Sequence, residues 1–168
     1  MKVKTIAALV FALTLVGQLV VQAENNQQLP TSTPPNAWNT LVPLRSTRAD
    51  VEKMFGAASE VNGHRYIYNL KTESVWFTYA KGDCNPQDGW SVPAGTILEI
   101  NVTPKTTLLA SDAGFDLSNF VPARTDDAEL AIYTNADSGV TIRTKGSSKA
   151  VVGVKYGASS ADVPRACP

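Results

Sequence analysis

Apolar residues recur at Val51, Met54 and Phe55, the i, i+3, i+4 spacing of one helical face. Thr47, ahead of this stripe, is a good N-cap. Asp50 three residues later completes a capping-box pattern and puts negative charge in the first turn, and Gly56 supplies a left-handed stop. The pattern predicts a helix over Thr47 to Phe55 of about two to three turns. Such a helix is too short to stand alone in water and needs a sheet to lie on.

The periodicity then changes from helical to alternating. After the turn signal Asn62-Gly63, Arg65 to Tyr68 is a short β-prone run. Ser74 to Tyr79 alternates, with Val75, Phe77 and Tyr79 on one side and Trp76 and Thr78 on the other. A long connection, Lys81 to Gly95, leads to a third strand at Thr96 to Val102. In it Leu98, Ile100 and Val102 are expected to face the core, and Glu99 and Asn101 water. Thr106 to Asp126 is less regular, although Phe115, Leu117 and Phe120 can make a second apolar stripe. Leu130 to Thr134, Val140 to Thr144 and Ala150 to Tyr156 are three further β-prone runs, separated by turns at Asn135 to Gly139 and Gly146 to Ser148. In the last run Val152, Val154 and Tyr156 are expected on one face, with Val151 and Lys155 opposite.

This order predicts an α+β fold, a short helix packed on an antiparallel meander sheet. The second half repeats the order of elements, which leaves two arrangements open within one domain: two tandem helix-plus-three-strand units, residues 37–105 and 106–168, or one unrepeated α+β sheet.

The ends of the chain set its address. Lys2 and Lys4 precede an apolar run from Ile6 to Val21, and Val21-Gln22-Ala23 is a small-residue cleavage pattern, so residues 1–23 read as a secretory signal peptide. The run is shorter than the roughly 20 residues of a spanning anchor. No Cys lies nearby for lipid attachment. Residues 24–36 (ENNQQLPTSTPPN) are too polar to offset their ordering entropy and read as a flexible leader. The globular part, 37–168, begins with the anchors Trp38, Leu41, Val42 and Leu44. The expected location is periplasmic or secreted, with no stable membrane insertion once the signal peptide is removed.

Charge and cysteines narrow the class. The chain holds 15 basic and 15 acidic residues, and loss of Lys2 and Lys4 tips the balance slightly acidic. That balance carries no footprint for nucleic acid or for an anionic membrane. The two cysteines, Cys84 and Cys167, in an exported chain favour a disulfide. Closing that loop stabilises a fold by about 4.5 kcal/mol in the chain-entropy model, and it would tie the tail, Asp162 to Pro168, onto the loop around Cys84.

Thr47, Asp50, Val51, Met54, Phe55 and Gly56 resemble the start of the repeat in the SmpA/OmlA (BamE-like) outer-membrane assembly proteins and in the halves of secreted β-lactamase inhibitor proteins. The chain departs from that pattern at Arg45, in place of a lead-in glycine, and at Ala58, where those families tend to carry Pro. It also lacks the lipidated Cys of the lipoproteins. More broadly, the chain looks like one of the small uncharacterised exported proteins of bacteria. The resemblance covers about Leu44 to Val102 and implies a module whose sheet presents one open face, binding partners through exposed aromatics. Trp76, Trp90, Tyr66, Tyr68 and Tyr133 are the candidates for partner binding.

Catalytic and metal chemistry find little support. His64 is the single histidine; it lies in a predicted turn with no nucleophile elbow near it. One His and two bridged Cys do not make a zinc site. Asp83, Asn85, Gln87 and Asp88 resemble a calcium loop only loosely, since Pro86 interrupts the run and Ala94 stands where a bidentate Glu is needed. Asp126-Asp127 reads as a hydrated loop, Asn101-Val102-Thr103 as a glycosylation sequon by pattern alone, and no phosphate loop opens a helix. No catalytic residue, cofactor or metal is therefore assigned. The expected function is a non-enzymatic exported module that binds an envelope or extracellular protein. The alternatives are a structural envelope component, a small-ligand binder with a pocket lined by Tyr66, Phe77 and Tyr156, or a hydrolase using Asp83, Asp88 or Asp126.

Overall fold

The computed structural model describes residues 35–168. The expected signal peptide, residues 1–23, and nearly all of the expected leader lie outside the described residues. Asn36, assigned to the leader's end, is buried, and its side-chain amide donates to Gly157 O at 2.9 Å. No helix among the described residues is long and apolar enough to cross a membrane.

One α-helix, α1 (Arg48–Phe55), precedes the strands β1 (Glu60–Asn62), β2 (Arg65–Asn69), β3 (Glu73–Tyr79) and β4 (Ile97–Pro104). The second half holds β5 (Val121–Ala123), β6 (Leu130–Asn135), β7 (Val140–Lys145) and β8 (Ala150–Tyr156). All eight strands form a single antiparallel sheet in the order β1-β2-β3-β4-β8-β7-β6-β5. Each half is thus a four-stranded meander, and the two meanders fuse where β4 pairs with β8. This overturns the α+β expectation of helix-plus-three-strand units. The fold is sheet-dominated, with two added strands and, among the described residues, a single short α-helix. The place taken by α1 in the first half is taken in the second by an irregular segment with one 3-10 turn, Leu117–Asn119.

The capping box of α1 forms as its residues dictate. Asp50 Oδ2 accepts from Thr47 N–H at 2.7 Å, and Gly56 closes the helix at φ 78°. Hydrogen bonds from Thr47 hold the Asp50 carboxyl below its ordinary range. Only part of the expected stripe is buried, however. Val51 is sealed and Phe55 packs on Trp38 and Tyr68, whereas Met54 is 45% exposed. Met54 borders a surface hollow with Leu41, Arg45 and Lys53.

One face of the sheet carries the core. Tyr68, Val75, Phe77, Tyr79, Ile100 and Val102 meet Trp38, Leu41 and Val51 in the first half. In the second, Val140, Ile142, Val151 and Val154 meet Ala110, with Phe115, Leu117 and Phe120 around them. Tyr156 touches both clusters across the β4–β8 seam, and burial pushes its phenol up to about 12.

Two β-bulges redirect side chains that simple alternation misplaces. Thr78 pairs with Glu99 but Tyr79 with Ile97, so Leu98 is the extra residue. Ile97 therefore enters the main core, and Leu98 joins Leu44, Ala80 and Val92 on the other side. Likewise Arg143 pairs with Gly153 and Thr144 with Val151, leaving Val152 unpaired. Val151, not Val152, thus shares the buried face with Val154. Asn101, expected in water, is buried between its cross-strand neighbours Trp76 and Lys155.

Candidate functional site

Pairing register places Arg65, Ile67, Trp76, Thr78, Glu99, Asn101, Thr141, Arg143 and Lys155 on the sheet face opposite the main core. Apart from the Leu98 cluster at one end, no hydrophobic cluster among the described residues lies on that face. It is the open side of the sheet. Trp76 is half-buried near the middle of the first meander, with Ile67 directly across on β2. The Arg65 guanidinium lies over its ring, 5.7 Å from the centroid. Lys155 Nζ, on β8, and Glu99 Oε1, on the same strand as Asn101, pair at 3.4 Å, a half-exposed contact worth little energy.

A polar hollow of about 320 Å³ is lined by Asn62, His64, Arg65 and Thr78, and Arg65 links it to Trp76. Asn62, Arg65 and Thr78 stand in one cross-strand row over β1, β2 and β3. They give the aromatic platform an edge rich in hydrogen-bond donors. His64, at the turn, lines the same hollow beside this row. Arg65 was not singled out from the sequence, although alternation from Trp76 and the Asn62-Gly63 turn would have paired their strands.

The other aromatic candidates have different places. Tyr68 is 2% exposed and packs edge-to-face on Phe77, so its assignment to partner binding is corrected: it faces the core with Val75. By geometry neither its hydroxyl nor that of Tyr79 has a hydrogen-bond partner among the described residues, and burial raises both phenols. Tyr66 and Tyr133 are half-buried on the covered face, Tyr66 accepting from Arg48 at 3.0 Å. Trp90 packs beside the Leu98 cluster and bridges Ala166, next to the disulfide.

The Cys84–Cys167 disulfide is present, and the tail is pinned as expected. Ser91 N–H donates to Arg165 O at 2.8 Å, and Cys167 N–H to Gly89 O at 3.0 Å. A polar cluster that sequence reasoning missed adds to this. Asp162, buried, accepts from Ser159 N–H and Oγ at 2.9 and 2.7 Å and from Arg45 at 3.1 Å. Burial alone would raise its pKa, but the Ser159 hydrogen bonds and the Arg45 and Arg165 charges hold it below the ordinary value.

The acids weighed for hydrolysis are used locally. Asp83 accepts from Ser91 Oγ at 2.8 Å and Asp88 from Lys81 N–H at 2.7 Å, while Asp126 is exposed in the other half. No group of three His, Cys, Asp or Glu suited to a metal occurs among the described residues. Tyr66, Phe77 and Tyr156 line no common cavity among the described residues: Tyr66 borders a surface hollow with Glu52, Ala58 and Val61, whereas Phe77 is fully enclosed in packed core.

No family model matches this chain, and no curated protein does. Among solved structures it is similar to a DUF4309 family protein from Bacillus subtilis subsp. subtilis str. 168, with 18% identity and a TM-score of 0.49 over 74% of this chain and 85% of that one. A cysteine-rich secretory protein from Staphylococcus aureus subsp. aureus Mu50 is more distant, with 13% identity and a TM-score of 0.40 over 77% of this chain and 48% of that one.

Proposed function

We propose that this chain is an exported, non-enzymatic module that binds an envelope or extracellular protein through the open face of its sheet. The observation that carries this reading is Trp76 stacked under Arg65 on a face that, among the described residues, carries only the Leu98 cluster at one end. Trp and Arg are the residue types most enriched at binding hot spots, and a tryptophan held half-exposed by its strand costs little further ordering on binding. The face has an excess of positive charge, Arg65, Arg143, Lys145 and Lys155 against Glu60 and Glu99, which favours a partner with an acidic surface. The disulfide agrees with an oxidising compartment, and the sequence of residues 1–23 with export to it.

Affinity capture from the exported fraction tests the reading. A partner recovered by the parent chain and lost with Trp76→Ala and with Arg65→Glu is the expected result. Recovery that neither substitution changes would contradict it.

A further inference from the structure

The connection between β4 and β5 leaves an open groove of about 720 Å³ over the second half, within the size range of small-molecule sites. Its apolar wall is Leu109, Ala110, Phe115 and Leu117. Leu109 is 41% exposed although its backbone is held by a bridge to Ala150. The neighbouring backbone is tied down as well, Val151 N–H donating to Leu108 O at 2.7 Å and Ala110 N–H to Lys149 O at 3.3 Å. The exposed leucine is therefore presented by a paired backbone.

Two charged residues line the groove, Asp116 and Lys149. Asp116 is engaged within its own turn, accepting from Ser118 N–H at 3.0 Å and Ser118 Oγ at 2.7 Å. Lys149 has no carboxylate within ion-pair distance among the described residues. Its φ of 53° is in the left-handed region, where glycine would sit with less strain. A long cationic side chain without an ion-pair partner among the described residues thus borders a groove with one apolar wall, the rest of its lining polar through Ser111, Ser118 and Ser148.

The geometry points to this groove as a binding site for a small amphiphilic monoanion, its hydrocarbon part on Leu109, Phe115 and Leu117 and its carboxylate at Lys149. The site lies on the covered side of the second meander and is independent of the Trp76 face, so either reading can fail alone.

Octanoate and the uncharged 1-octanol, titrated into isotope-labelled protein and followed by amide chemical shifts, separate the apolar and ionic parts. Octanoate is expected to saturate residues 109–118 and 146–151 and to bind about tenfold more tightly than octanol, the effect of one charge-assisted contact. Lys149→Gly should abolish the preference for octanoate while melting no lower than the parent, and Lys149→Gln should abolish it with the chain length kept. Leu109→Ser should weaken both ligands. Equal affinity for octanoate and octanol, shifts centred elsewhere, or no saturation by octanoate below its micelle concentration would overturn the assignment.

Discussion

Arg45 and Asp162 are 117 positions apart in the chain, yet Arg45 Nη2 donates to Asp162 Oδ1 at 3.1 Å. The contact joins the lead-in of α1 to the C-terminal 3-10 turn, Ser160–Arg165, and Arg165 Nη1 donates to Leu44 O at 2.7 Å beside it. Asp162→Asn keeps an acceptor for Ser159 but removes the charge. Because Arg45 is 41% exposed, the expected loss is moderate, about 2 kcal/mol at neutral pH.

The same pair sets a pH dependence. Asp162 has a folded pKa below its unfolded one, so its stabilisation is complete above about pH 4–5 and is lost as pH falls through the folded value. Denaturant midpoints of parent and Asp162→Asn should differ at pH 7 and converge on acidification. A gap that widens in acid would show that the carboxylate is not what Arg45 and Ser159 stabilise.

Reduction of Cys84–Cys167, or replacement of both by Ser, should lower stability by about 4–5 kcal/mol for a loop of 83 residues. The Asp162 cluster also holds the tail, so the reduced chain is expected to remain folded in the absence of denaturant. Parallel urea titrations with and without reductant check both statements.

The burial contrast along α1 and β3 gives a third test. Phe77→Ala should cost about 3–5 kcal/mol, since it empties a fully enclosed site. Met54→Ala should change stability by less than about 0.5 kcal/mol, because its side chain is largely exposed. Comparable losses at the two positions would mean that the helix lies on the sheet by a different face.

Gly139 is the glycine whose replacement should matter most. A Cβ there would lie 2.5 Å from Ala158 O and 2.6 Å from Gly157 O, where the β6–β7 turn meets the chain leaving β8. Gly114 has a similar φ of 79° but open space around it. Thermal melts should therefore show Gly139→Ala losing several kcal/mol and Gly114→Ala about 1 kcal/mol.

The strands with strong alternation were legible. Arg65 to Tyr68, Ser74 to Tyr79, Val140 to Thr144 and Ala150 to Tyr156 all fall on observed strands. Glu60–Asn62 and Val121–Ala123 were missed because each is a three-residue edge strand, one without a buried residue and one containing a proline. The bulges at Leu98 and Val152 have no local signature, so period-two reasoning put each on the wrong side. Nor does any short segment encode the β4–β8 pairing that merges the halves, and the α+β expectation failed with it. The place of Trp76 opposite the core face was legible from its alternating run. Tyr68 was misassigned because residue type was weighed before face: its partner Val75 already lay on the core side. The Asp162 cluster is a long-range contact between charges that carry no pattern in sequence.

The open face around Trp76 is tested most directly by site-specific photo-crosslinking in the exported fraction, with the reactive group at Thr78 on that face and, separately, at Lys53 on the exposed side of α1. The account predicts a protein adduct from Thr78 that disappears when Trp76→Ala is added, and none from Lys53. Adducts of equal yield from both positions, or a Thr78 adduct indifferent to Trp76, would contradict it.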